Sequence, residues 1–299
     1  MPRLMQTQAQ KVLTSRFLDL SSRHKAKSGG GPTGKIHSLA TFRTYSHALG
    51  QAGKWMRIRH GLAKIDKMTP DLAKAYLVYR RDAGIGQKQL DNDRNAMQFM
   101  TGKLDRVKAL DEGPKASRAY SRDEVERIAI RQQPHHALAT RIAYDAGLRA
   151  HELHTLRRAD EDAPSSSRQW RPDRFLGRSG VRYVVTGKGG LAREVLLSHG
   201  LSRALEARRL DEPRQVRDRD IHYIAHYDLG GGQPWSKSFG ARSKTELGHS
   251  MGAHGLRHGY AQSRMAEMTA RGVSEKEAKH ILSQELGHFR VEIVDVYLR

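Results

Sequence analysis

Cysteine is absent from this chain of 299 residues, which excludes disulfides, thiolate metal sites and a cysteine nucleophile. Aromatic residues are scarce at 6%, so the core must be built largely from Ala and Leu on helices with much polar surface. No run of about 18 apolar residues occurs, and nothing therefore reads as a membrane span. Met1 to Gln10 has no apolar stretch resembling a signal peptide. Acidic residues are also in deficit: 32 Asp plus Glu stand against 53 Lys plus Arg, a formal net charge of +21. Charge of that size repels itself in a compact chain unless a polyanion offsets it. Nucleic acid is the expected partner, with binding that weakens steeply as salt rises. A histone-like or ribosomal binder is the plainer alternative. The expected location is cytoplasmic, associated with the nucleoid, with no membrane as partner.

What is present organises into three stretches. Residues 1–37 open with a short apolar pattern over Gln8–Ser22, with Val12, Leu13, Phe17, Leu18 and Leu20. A basic, glycine-rich run from Arg23 to Lys35 follows, too polar to order itself. The whole stretch reads as a basic arm or linker suited to lie along phosphates. Residues 38–112 read as helices. Leu39, Phe42, Tyr45, Leu49 and Ala52 fall on one face of a helix over Ser38–Met56. Thr69-Pro70 starts a second helix, where Thr caps and Pro suits the first turn. A third runs from about Lys88 to Met100. Asp111 to Ser117 contains Gly-Pro and reads as a linker. Ser121-Arg-Asp-Glu124 then fits a capping box and opens a domain over 118–299. There His136–Leu148 reads as helix, with Arg149–Leu156 continuing its face. Val181–Thr186 and Arg193–Leu197 alternate as a β-hairpin around Gly187-Lys-Gly-Gly190. Gly200–Leu210, Gly255–Ala270 and Ser274–Leu286 read as helices, Gly230–Gly232 as a loop, and 211–250 carries no motif. The fold class expected is mainly α with a small β-sheet, α+β.

Four short segments carry chemistry. Arg149 follows a helix-breaking Gly147, and Glu152, three residues on, shares its face and can orient it. Taken alone, this is more often a plain salt-bridged pair. Lys188 sits among three glycines at the hairpin tip, able to place an ammonium by a leaving oxygen or simply to stand in solvent. His254 and Arg257 lie three apart at a helix start and point the same way. An imidazole and a guanidinium converging so suit a phosphodiester, since Arg can take two nonbridging oxygens at once. His254 and His258 also suit a metal pair, with His249 and His288 as further ligands, but no carboxylate accompanies them. No metal and no cofactor are expected. His288 follows Gly287, and Tyr297 comes nine residues later; a lone tyrosine in such a place is usually packing.

Together, Ala-Gly-Leu-Arg-x-x-Glu-Leu (146–153), Thr-Gly-Lys-Gly-Gly (186–190), His-Gly-Leu-Arg-His (254–258) and Leu-Gly-His (286–288) followed by Tyr297 resemble the catalytic domain of the tyrosine recombinases, the phage integrases. The resemblance covers 120–299 well and extends more loosely to 38–112, which looks like the family's helical core-binding domain. It implies that Tyr297 attacks a scissile phosphate to form a 3′-phosphotyrosine. It further implies that Arg149 and Arg257 clamp the nonbridging oxygens and that Lys188 protonates the departing 5′ oxygen. His254 would assist proton transfer at the tyrosine, and His288 would hydrogen-bond the phosphate. A phenol ordinarily ionises near pH ~10, and a cationic pocket favours its anion. A covalent intermediate conserves the phosphodiester energy, so rejoining needs neither ATP nor metal.

The implied partner is double-stranded DNA, bound by a homo-tetramer on two duplexes, with accessory DNA-bending or directionality factors admitted. The implied activity is integration or excision of a mobile element. Arg43, Lys54, Arg57, Arg59, Arg80, Arg81, Lys88 and Arg94 are the candidates for DNA contact in the helical region, which is expected to clamp the duplex with 118–299. Many family members carry a tail beyond the tyrosine that packs on a neighbouring subunit. Here Leu298 and Arg299 follow, so assembly contacts are expected from elsewhere, such as 1–37, or the tyrosine segment itself is mobile. Two other readings stay open at this stage: a recombinase-like DNA-binding protein without catalysis, and a type IB topoisomerase-like enzyme.

Overall fold

The first helix, α1, spans Pro2–Arg16, earlier than the apolar pattern over Gln8–Ser22 suggests. Met5, Ala9 and Leu13 are buried and set its inward face at spacings of four. They pack on α2, Leu39–His60. The reading of 1–37 as an arm is thus corrected for residues 2–16, which form a helix of the first unit. The basic run at 23–33 lies outside the described residues: the computed structural model describes 2–19, 34–110 and 116–299. The chain separates into two units, Met1–Lys115 and Ala116–Arg299.

In the first unit Ser38 caps α2 by accepting from the Thr41 N–H at 3.1 Å, and Gly61 closes it in the left-handed region. Thr69 caps α3, Pro70–Asp82, and α4 spans Gln87–Thr101. Leu13, Leu49, Met56, Tyr76, Leu77 and Met97 meet in one core. Each of the four helices buries one stripe, and Lys11, Arg43, Lys54, Arg59, Lys74 and Lys88 stand exposed on the outside.

The second unit opens with the capping box of Ser121 and Glu124 on α5, Arg122–Ile130. Helix α6, Pro134–Asp145, is followed by a three-stranded antiparallel sheet. Its strands are β1, Arg157–Arg158, β2, Val181–Thr186, and β3, Ala192–Leu197. Helix α7 covers His199–Glu206, shorter than the Gly200–Leu210 pattern because the chain turns into a strand at Arg209. That strand, β4, Arg209–Asp218, pairs with β5, Ile221–Tyr227. Helices α8, Gly232–Leu247, α9, Gly255–Ala270, and α10, Glu275–Glu285, complete the unit. A 3-10 segment over Val291–Val296 leads to Tyr297. One core gathers Tyr120, Ile142, Leu153, Tyr183, Val195, Trp235 and Leu256. A second holds Tyr260, Met268, Ile281, Leu286 and Val294, with the Tyr297 ring among them. Among the described residues no helix is long and apolar enough to cross a membrane.

Candidate active site

Helix α6 stops at a glycine for a steric reason. Gly147 has φ +59°, and a Cβ there would lie 2.6 Å from the Tyr260 ring of α9. The expected continuation of the helix through Arg149–Leu156 does not form; a single 3-10 turn, Glu152–His154, takes its place. The sharp turn swings Arg149 toward the ends of α9 and α10. Its Nη1 donates to Glu152 Oε1 at 2.7 Å, and its backbone N–H donates to Oε2 at 2.8 Å.

Glu152 is fully buried. It also accepts from Arg193 Nη2 at 2.8 Å and lies 4.0 Å from Arg257 Nη1. Burial works to raise its pKa, but Arg193, Arg257 and Arg149 outweigh burial and hold the carboxyl well below the usual range. One carboxylate therefore organises three guanidinium groups.

Arg257 stands in the first turn of α9 at 0% exposure. It donates to the Gly147 carbonyl at 2.5 Å, to the Leu286 carbonyl, and through Nε to the Tyr297 hydroxyl at 3.4 Å. Burial first, then Arg149, pushes its pKa down to about 10, so it stays charged at neutral pH. His288 follows Gly287 at the end of α10. Its Nε2 lies 3.1 Å from Arg149 Nη2 and 3.1 Å from the Tyr297 hydroxyl. A guanidinium only donates, so Nε2 presents a lone pair to it, an assignment made from the partners. Burial, then Arg257 and Arg149, lowers His288 to about 3, which keeps the ring neutral. His254 has an exposed edge, and its ring centre is 5.7 Å from that of Tyr297. Partial desolvation, then Arg257 and His258, lowers its pKa as well.

Five of the six residues singled out in the sequence thus converge: Arg149, His254, Arg257, His288 and Tyr297. The sixth, Lys188, lies in a turn where Gly189 and Gly190 both have φ +80°; its side chain lies outside the described part of the structure. A cleft of about 220 Å³ opens beside the cluster, lined by Arg149, Gly187, Leu191, Arg193, Gly287 and His288. Among the described residues no three His, Asp or Glu side chains gather as a metal ion requires.

Solved structures share this architecture. The XerH site-specific recombinase, bound to a palindromic difH substrate after cleavage, superposes with a TM-score of 0.56 at 14% identity, covering 99% of this chain and 91% of that one. A lambda integrase dimer bound to a COC′ core site gives 0.54 at 15% identity, with 94% of each chain covered. The Tn1549 transposon integrase with circular intermediate DNA gives 0.50 at 12% identity, covering 97% and 95%. The fold is that of the tyrosine recombinases. No family model matches the sequence, and no curated protein matches it; at these identities the likeness is one of fold.

Within that fold, two further residues of the cluster carry no motif signal of their own. Arg193 reads in the sequence as a strand residue, yet it is 1% exposed and donates to Glu152. Strand alternation held the signal, because Arg193, Val195 and Leu197 share the inward face. His258, a candidate metal ligand in the sequence, has its ring centre 4.9 Å from that of Tyr297, and its Nδ1 is buried without a hydrogen bond. In the first unit, Arg43, Lys54 and Arg59 are exposed along α2, and Arg57 is half-buried. Lys88 is exposed on α4, where Arg94 is half-buried with its Nε lacking a partner. Arg81 pairs with Asp82 at 2.8 Å. Arg80 meets the buried Asp93 at 3.1 Å and so ties α3 to α4.

Proposed function

We propose that the chain is a site-specific DNA recombinase that cuts and rejoins strands through a covalent bond between Tyr297 and a backbone phosphate. The observation that carries this reading is the phenol oxygen placed between Arg257 Nε at 3.4 Å and His288 Nε2 at 3.1 Å, with Arg149 bonded to the same imidazole. A neutral imidazole at the phenol oxygen can accept its proton as the oxygen attacks. The phosphate then meets Arg149 and Arg257, whose charge is present before the reaction and needs no reorganisation as charge builds on phosphorus. Tyr297 is 5% exposed, so the phenol shifts aside as the phosphate enters. Attack forms the Tyr297 O–P bond and breaks the P–O5′ bond. Lys188 supplies the proton to the departing oxygen, His254 assists at the phenol, and His288, once protonated, donates to the phosphate.

The exposed cations of α2 and α4 hold the duplex backbone, which fixes position rather than sequence. The finer reading is integration or excision of a mobile element by four subunits on two duplexes.

Wild-type protein mixed with fragmented genomic DNA and denatured should retain DNA covalently, and sequencing that DNA yields the target. Tyr297→Phe should bind the recovered duplex but trap none. Covalent DNA on the Phe variant would remove Tyr297 as the nucleophile.

A further inference from the structure

Arg193 is the least expected buried charge in the second unit. It stands on β3 in register with Val185, one pair from the end of the hairpin at Thr186 and Ala192. Its neighbours on that face are Val195 and Leu197, and an aliphatic side chain would fill the position without desolvating a charge. Instead the guanidinium is 1% exposed, and its Nε makes no hydrogen bond. Its two other nitrogens are fixed. Nη2 donates to Glu152 Oε2 at 2.8 Å, and Nη1 donates to the Glu285 carbonyl at 2.7 Å.

Two glycines are fitted around this bridge. A Cβ at Gly287 would lie 2.8 Å from Arg193 Cδ, and one at Gly187 would lie 3.1 Å from Glu152 Oε1. The hairpin therefore touches Glu152 from both sides of its turn, through Gly187 on one strand end and Arg193 on the other. The same carboxylate holds Arg149. A planar fork with one end on Glu152 and the other on the Glu285 carbonyl fixes the angle of β3 against Glu152 as well as its distance; a lysine ammonium, a compact charge on a flexible stem, does not fix that angle.

We propose that Arg193 is a positioning residue that locks the Lys188 hairpin onto Glu152, so that the proton donor is set in register with Arg149; this rests on the strand-cleaving reading above. Arg193 acts at the leaving-group end of the reaction without touching the phosphate. Cleavage breaks the P–O5′ bond, and the departing oxygen needs a proton. With sulfur in that bridging position the thiolate leaves unprotonated, because thiols are far stronger acids than alcohols. A displaced donor is therefore costly on the oxygen substrate and nearly harmless on the sulfur one.

The test uses the full chain and a nicked duplex carrying the trapped target, made with either oxygen or sulfur at the 5′ bridging position. Arg193→Lys should cleave the oxygen substrate about 10²-fold more slowly and the sulfur substrate at close to the wild-type rate. Gly187→Ala, which pushes the hairpin off Glu152 while leaving Arg193 intact, should show the same split and covers the case in which Arg193→Lys fails to fold. Lys188→Ala is the reference for full rescue by sulfur. Equal losses on both substrates, or no loss on oxygen, would overturn the proposal, as would absence of rescue in Lys188→Ala. Failure of the wild type to form any covalent product would instead remove the strand-cleaving reading itself.

Discussion

Charges held out of water at the cluster give the protein a defined response to acid. Glu152 has a folded pKa far below its unfolded value of about 4.3, so its contribution to stability is present above that pH and lost as pH falls. His288 works in the same direction for a different reason. Its folded pKa is about 3 against an unfolded value near ~6.5, so below that pH the unfolded chain takes up the proton first. Urea midpoints should therefore fall from pH 7 to pH 4 in the wild type and fall less in His288→Asn. Glu152→Gln should lose about 3–5 kcal/mol at pH 7, the cost of breaking a buried pair, and the gap to wild type should narrow below pH ~4. An unchanged slope in His288→Asn would show that its imidazole titrates alike in the folded and unfolded states.

Much of the residue scale was legible because chemistry selects residue types in a fixed chain order. Arg149, the His254–Arg257 pair, His288 and Tyr297 come from separate segments, and their side chains meet in one cluster. Arg193 was not legible, since a single arginine in an alternating strand resembles any solvent-facing cation until the inward register is counted.

Elements were legible where periodicity was strong and lost where another force decided. The capping box at Ser121 and the glycine hairpin at 187–190 follow from local preference alone. The end of α6 does not, because it is set by the Tyr260 ring lying across Gly147. The β4–β5 ribbon escaped notice since β4 is exposed along most of its length and so lacks a buried alternation, with Pro213 inside it. Its turn places Arg219 and Asp220 at positive φ, where the usual Asn-Gly signal is missing. In α8, Trp235, Phe239 and Ser243 are buried at spacings of four, a helical face hidden by the glycines at its start.

Gly147→Ala tests the most consequential of these junctions. It combines left-handed strain with a clash and should lower stability by more than ~1 kcal/mol. It should also slow covalent trapping by displacing Arg149. Thermal melting and trapping rates measured together would separate the two effects, and an unaltered trapping rate would show that the turn does not aim the arginine.

At the scale of the molecule, net charge +21 should make ionic strength the dominant control on the proposed duplex binding. With about 6–10 phosphates contacted, affinity should drop about 10³–10⁵-fold between 50 and 200 mM salt. Lys54→Gln, on the exposed face of α2, should weaken binding alike for all sequences and reduce the logarithmic salt slope by about 1. A slope unmoved by this change would take Lys54 away from the phosphates. This expectation rests on composition alone. The division into two units was legible only as a Gly-Pro signal near 111–117, and the membership of α1 in the first unit was hidden because its short apolar stripe starts at Met5 amid polar residues.

Three guanidinium groups gathered about the single Glu152 carboxylate also leave that corner of the fold with surplus positive charge that packing alone does not relieve. Such a centre is softest when alone and firmest in company: whatever oxyanion settles against it tightens α6, β3 and the end of α10 in one stroke. On the proposed reading, grip on the strand and rigidity of the second unit are therefore the same event.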